Sequence, residues 1–280
     1  MSYNESEILA HVKNAILETP IVEAPFPYAC FSNVFPSGFY DRIVATIPER
    51  KLFTPYFVDR PKSENQTFVL HQNYLCDPSQ PEAEGWIIYW KGVSLISKLL
   101  SFRFEPYIPS VLRVLFPEDW GKRVLDIETY FETGNLHDAG TGYQIGPHLD
   151  HPYHIVTWLF NMPQDNKFLG CGTDMYHPVI EDMDAFDPLV TFFSQYRGGE
   201  FDTIHSSPYK PNSLVAFMNS PISFHGYAGS SELQRRFQVM NYIRYTDESF
   251  KTVFRGLSDS VFEISRLGPE HKPYPVEKFQ

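Results

Sequence analysis

Apolar residues recur at helical spacing over residues 5–18, where Ile8, Leu9, Val12, Ala15 and Ile16 fall on one side of a 3.6-residue turn. That spacing predicts an amphipathic helix, and a second is predicted over 37–46, stopped by Pro48. Prolines at 20, 25 and 27 keep the intervening chain extended. Residues 50–80 are polar and loop-like, with FVLHQNYL (68–75) as a candidate strand. Helical spacing returns over 83–102 and 106–116, the first carried by Trp86, Ile87, Trp90, Val93, Leu95, Ile96 and Leu99. The first 120 residues thus read as a helix-rich flank.

From Arg123 onward the pattern changes. RVLDIETYFE, HIVTWLFNM, GTDMYHP, EFDTIH, NSLVAFMN and FQVMNYIRY are short runs rich in β-branched and aromatic residues, punctuated by Gly, Pro, Asn and Asp. They predict a mainly β protein with flanking helices, its core a double-stranded β-helix (a cupin-like jelly roll) over 121–246. The whole chain, 1–280, reads as one domain, with a tail over 247–280 that holds a short helix, DSVFEISRL (259–267). Residues 177–199 are too long for a hairpin loop and predict an insertion covering the mouth of a site.

Composition narrows the partners. Twenty-three basic against 34 acidic side chains give a formal charge of −11, which argues against a nucleic-acid backbone or an anionic membrane as partner. The 23 prolines fit many short strands and turns. Cys30, Cys76 and Cys171 are scattered and form no CxxC pair, so they read as reduced thiols of a cytoplasmic protein. The N-terminal residues do not read as a signal peptide, and no apolar run approaches the ~18 residues needed to span a bilayer. The expectation is a soluble protein; its oligomeric state is left open.

The segment GTGYQIGPHLDHPYHIVTWLFNMP carries the candidate chemistry. His148 and Asp150 are two apart, so in a strand they share a face. A distant strand must supply any third ligand, and His225 in NSPISFHGYAG is the best placed. Two imidazoles and one carboxylate on one face leave positions open on a divalent metal, which suits non-haem Fe(II) better than a closed structural zinc site. Arg235 and Arg236 follow His225 and open the strand RRFQVMNYIRY. A guanidinium grips a carboxylate through two parallel hydrogen bonds, which lysine cannot do.

HxD, a later His and an Arg about ten residues on resemble the 2-oxoglutarate/Fe(II)-dependent dioxygenases, and within them the prolyl-hydroxylase-like branch. GTGY before the HxD, the strand ending in Asn161, LGCGTDMY, PNSLVAFMNS and the opening PFPYACFSNVFPSGFYDRIVATIP extend the likeness over roughly 25–245. The resemblance implies Fe(II) held by His148, Asp150 and His225, with 2-oxoglutarate and O₂ as cosubstrates. It also implies an arginine on the distal carboxylate of 2-oxoglutarate. Strand parity favours Arg236 over Arg235, because Gln238, Met240 and Tyr242 then point inward with it. Many relatives have Ser or Thr where Gln238 or Met240 stands, but Gln238 can still donate a hydrogen bond. Tyr143 and Thr157 complete the cofactor-binding candidates, with Tyr130 and Asn219 as weaker pocket residues.

The implied activity is hydroxylation of an unactivated C–H bond of a small molecule, an amino acid or natural-product intermediate, with release of succinate and CO₂. Cyclisation, desaturation and epimerisation remain open, as do a 2-oxoglutarate-independent cupin-like metalloenzyme and a non-catalytic jelly-roll binding module. His151 and His154 read as surface groups or neighbours of the ligands, His137, His177 and His205 as ordinary histidines, and Arg244 as a structural salt-bridge partner.

Overall fold

The computed structural model describes residues 3–55, 67–131, 135–179, 187–194, 200–227 and 229–257. The predicted tail helix lies outside the described residues. Among them the helices are α1 (Glu5–Glu18), α2 (Ser37–Ala45), α3 (Gln72–Leu75), α4 (Ala83–Phe104), α5 (Ile108–Leu115), α6 (Trp120–Arg123), α7 (Pro188–Ser194) and α8 (Asp247–Val253). The strands are β1 (Tyr28–Ser32), β2 (Thr54–Pro55), β3 (Thr67–His71), β4 (Thr129–Phe131), β5 (Asn135–Gly140), β6 (Ile145–His148), β7 (His154–Asn161), β8 (Thr173–Pro178), β9 (Phe201–Ser207), β10 (Ser213–Met218), β11 (Phe224–Tyr227) and β12 (Arg235–Tyr245).

The large sheet has the order β1-β10-β7-β12-β5-β3-β2, with β4 beside β12, and the small sheet the order β6-β11-β8-β9. All pairs are antiparallel. Following the chain from β5 to β12, each connection except β8–β9 crosses between sheets. Four strands in each sheet, wound this way, are a jelly roll, the double-stranded β-helix. The flank is less purely helical than its sequence pattern predicts, since it supplies β1, β2 and β3 to the edges of the large sheet. FVLHQNYL is strand only to His71; its imidazole then accepts from the Asn73 amide and caps α3.

The two faces of the large sheet bury different things. On the outer face Trp158, Phe160, Leu214, Ala216, Met218, Val239 and Ile243 join one core with residues of α1, α2 and α4. Phe35 stacks on Tyr89 at 5.0 Å and meets Phe160 edge-on at 5.5 Å, tying helix to sheet. The inner face of β7 and β10 adds Leu159, Val215 and Phe217, packed with Met175 from the small sheet. With both faces covered, β7 is buried along its whole length, which is why it reads as a continuous apolar run.

One buried charge braces the β5–β12 edge. Asp138 is fully buried and accepts from Arg50 (Nε 3.0 Å, Nη2 2.9 Å) and from Arg235 (Nε 2.8 Å). Removing the carboxylate leaves two guanidinium groups facing each other across the strand. Asp138→Ala is therefore expected to cost about 3 kcal/mol, the lower end for a broken buried pair, because the arginines keep some solvent. Urea unfolding of the variant checks this. Of the 177–199 insertion, the described part includes α7, whose Phe193 meets Phe254, just after α8, at 5.5 Å.

Candidate metal centre

His148 ends β6 and His225 lies on β11, and these two residues are direct partners in the small sheet. Their rings sit 4.3 Å apart, centroid to centroid. Pairing this close depends on Gly226: a side chain there would place a Cβ 2.6 Å from the carbonyl oxygen of Ile145 on β6. Gly226→Ala should therefore push β6 from β11 and weaken metal binding by at least the roughly 10–100-fold typical of disturbed supports, as read by calorimetric Fe(II) titration under anaerobic conditions.

Asp150 follows β6, and its carboxylate approaches His225 Nε2 to 3.6 Å. One ligand atom from each of His148, Asp150 and His225 lies within 4.8 Å of the others. His148 Nδ1 lies 2.9 Å from the Gly146 carbonyl, which assigns its proton there and leaves Nε2 with a free lone pair. The Thr157 hydroxyl donates to Asp150 and fixes the carboxylate. Thr157 therefore holds the candidate ligand Asp150 directly, a role the cofactor-binding expectation did not include. A buried carboxylate between two imidazoles, with no ammonium or guanidinium on it among the described residues, fits a divalent cation.

Electrostatics agree with neutral imidazoles facing an ionised carboxylate. Burial pushes the Asp150 carboxyl up, but His225, His154, His148 and the Thr157 bond together hold it below its ordinary value. Burial lowers His225 to about 4 against the opposing pull of Asp150, and lowers His154 to about 3. His137 falls to about 4 through burial and the nearby Arg236 charge. In each case the native state refuses a proton that the unfolded chain accepts near pH 6.5. Stability is thus full above about pH 6.5 and is lost as pH falls toward 4, by as much as ~4 kcal/mol per pH unit if all three take part. Urea unfolding of metal-free protein across that window checks the slope, and His137→Phe should remove about a third of it.

Arg236 points into the sandwich and Arg235 out of it. Arg236 is 6% exposed; its Nε donates to the Cys171 carbonyl at 3.1 Å and its Nη1 to Gln238 Oε1 at 2.7 Å. Its guanidinium lies 4.4 Å from the Tyr227 ring and 5.4 Å from that of Tyr209. Among the described residues no carboxylate pairs with it. Arg235 is instead one of the two clamps on Asp138. Gln238 therefore holds the arginine through its oxygen, while its amide reaches Asn161 at 3.5 Å.

Tyr143 belongs to the β5–β6 connection and stacks on Tyr227 at 6.1 Å, so it reaches Arg236 through that ring. Tyr130, on β4, is 38% exposed and lies under the Arg244 guanidinium, away from the ligands. His154 is buried and stacks face to face on Tyr242 at 3.7 Å. Tyr209 and Tyr227 around Arg236 were not singled out by sequence, and His137 read as an ordinary histidine, because each comes from a strand or loop other than β12 and no spacing along the chain places it beside the arginine.

No family model and no curated protein matches the chain. Among solved structures, the chain is similar to a Pseudomonas putida prolyl-4-hydroxylase, at 13% identity and a TM-score of 0.42, covering 85% of this chain and 100% of that one. It is also similar to a Trichoplax adhaerens prolyl hydroxylase in complex with a hypoxia inducible factor peptide fragment (14%, TM-score 0.45, 88% and 93%). A 2OG-Fe(II) oxygenase family oxidoreductase from Burkholderia pseudomallei is a third (13%, TM-score 0.36, 87% and 91%). Among the described residues no helix is long and apolar enough to cross a membrane.

Proposed function

We propose that the protein is an Fe(II)- and 2-oxoglutarate-dependent oxygenase. The observation that carries the reading is a pair of sites inside one jelly roll: a two-His, one-carboxylate cluster, and a buried arginine with no anion on it among the described residues. A dianionic keto acid satisfies both ends, its keto-acid group at the metal and its far carboxylate at Arg236. When bound, the metal with 2-oxoglutarate and O₂ supplies oxidation of an unactivated C–H bond, with succinate and CO₂ released. The chain's part is to bind and orient. His148, Asp150 and His225 hold the metal, Thr157 fixes Asp150, and Gln238 and the Cys171 carbonyl aim Arg236.

We further propose a small-molecule substrate, an amino acid or natural-product intermediate. Asp150 and His225 are 9% and 6% exposed while His148 is half-buried, so the centre is a recess reached from the His148 side. The test is incubation with Fe(II), 2-oxoglutarate and cell extract, followed by mass spectrometry for products 16 Da heavier. Succinate release dependent on 2-oxoglutarate supports the oxygenase. Metal binding with no 2-oxoglutarate binding refutes it in favour of a cupin-like enzyme. A +16 shift on peptides alone keeps the oxygenase and overturns the small-molecule substrate.

A further inference from the structure

We infer that Asn219 is a positioning residue that ties the β6–β7 connection, which bears Asp150, to the β10–β11 connection, which leads into His225, and thereby sets the metal affinity of the site. The inference rests on the reading of His148, Asp150 and His225 as a metal centre. The β6–β7 connection begins with Leu149 and Asp150; the β10–β11 connection begins at Asn219 and delivers His225 six residues later. Each connection passes from one sheet to the other, so neither ladder of strand hydrogen bonds fixes it.

Asn219 bridges them. It is 2% exposed, and its Nδ2 lies 3.3 Å from the carbonyl oxygen of Asp150 and 3.1 Å from those of His151 and His154. Three carbonyls around one terminal atom identify that atom as the NH₂ group, since an oxygen there would meet only acceptors. Its backbone N–H donates to the carbonyl of Ile155 on β7 at 2.9 Å, so the main chain anchors the residue to β7 while its side chain reaches back to the β6–β7 connection. On its other side the turn to His225 is closed by the Ser220 amide on Ser223 Oγ at 2.7 Å and the Ser223 amide on the Ser220 carbonyl at 3.2 Å.

Beside the β6–β11 pairing of His148 with His225, Asn219 thus provides a second tie between Asp150 and the segment leading to His225. Without it, three converging carbonyls lose their shared donor, the His151 oxygen keeping the His154 amide at 2.8 Å, and the Asp150 connection relaxes away from them. The carboxylate would then shift relative to His225 while the strands stay paired. Arg236 is held by Gln238 and Cys171, none of which touches Asn219, so binding at that end is independent.

The test uses Co(II), an air-stable stand-in for Fe(II), titrated calorimetrically and by its visible d–d spectrum into metal-free wild type, Asn219→Ala, Asn219→Asp and Asn219→Ser. Asn219→Ala and Asn219→Asp are expected to weaken Co(II) binding by roughly 10–100-fold and to alter the d–d spectrum. Asn219→Ser, with one short donor, should fall between them and wild type. At saturating Co(II), 2-oxoglutarate affinity should be unchanged in all three. Asp keeps the volume of Asn and loses the donors, so wild-type affinity in Asn219→Asp would reduce the residue to a space-filler and overturn the inference. Wild-type affinity in Asn219→Ala would do the same. If Ala and Asp lose the native near-ultraviolet circular dichroism, Asn219→Ser decides, and wild-type Co(II) affinity in a folded Ser variant overturns the inference. If Co(II) binds equally well after His225→Ala, the metal-centre reading fails first and takes the inference with it.

Discussion

Replacing His225 by alanine is expected to abolish useful Fe(II) binding while leaving the jelly roll folded. A structural site with four protein ligands binds zinc with about 10–16 kcal/mol, or roughly 3 kcal/mol per ligand. Loss of one ligand from a three-ligand centre therefore costs at least about 10²-fold in affinity. The fold should survive, because the His225 ring is buried beside Phe217 at 4.5 Å and β11 stays paired to both neighbours through its backbone. Asp150→Asn tests the same centre without a change of shape. It removes the negative charge and turns an amide toward His225, so it should lose metal at least as severely. Iron content after anaerobic loading and gel filtration, with circular dichroism as the folding control, measures both. Wild-type iron content in either variant would overturn the ligand assignment.

The His148–Asp150–His225 cluster was legible because it depends on local geometry. His148 and Asp150 are two apart at a strand end, and His225 needs only one strand pairing to reach them. The orientation of Arg236 was legible for a similar reason. β12 pairs regularly with β5 and β7 from its start to Ile243, so alternation carries from Arg236 to Gln238. A register shift between Ile243 and Arg244 ends that inference, and alternation could not place Arg244. The first strand of the roll, β5, was not legible at all. NLHDAG looks like a loop because His137 faces the interior beside Arg236, while Asp138 faces two arginines on the other side. Both polar residues are satisfied by partners remote in sequence, so neither gives the β period an apolar signal. The supports of the site were hidden in the same way. Thr157 on Asp150 and Asn219 on the following carbonyls are contacts between strands and connections that no spacing along the chain encodes.

Arg236→Ala is expected to raise the dissociation constant of 2-oxoglutarate by roughly 10²–10³-fold or more, the consequence of removing one partner from a buried charged pair at about 3–5 kcal/mol. Iron binding should be nearly untouched, since no ligand residue contacts the arginine. Without ligand the guanidinium is a buried cation with no carboxylate partner among the described residues, where a carbonyl, an amide oxygen and aromatic rings hold it. Its removal should therefore leave the melting temperature of the ligand-free protein little changed, and what disappears is the rise that saturating 2-oxoglutarate gives wild type. Arg236→Lys should recover part of the affinity, because one ammonium cannot reproduce the two-pronged grip. Arg235→Ala should behave in the opposite way: 2-oxoglutarate affinity near wild type, with lower stability, because Asp138 loses one of its two clamps. Anaerobic titration with Fe(II), followed through the metal–keto-acid charge-transfer absorbance, reads the affinities, and thermal melts with and without 2-oxoglutarate read the rest. A large affinity loss in Arg235→Ala beside normal binding in Arg236→Ala would mean that the outward arginine is the anchor, against its pairing with Asp138. Normal binding in both would separate the metal centre from 2-oxoglutarate altogether.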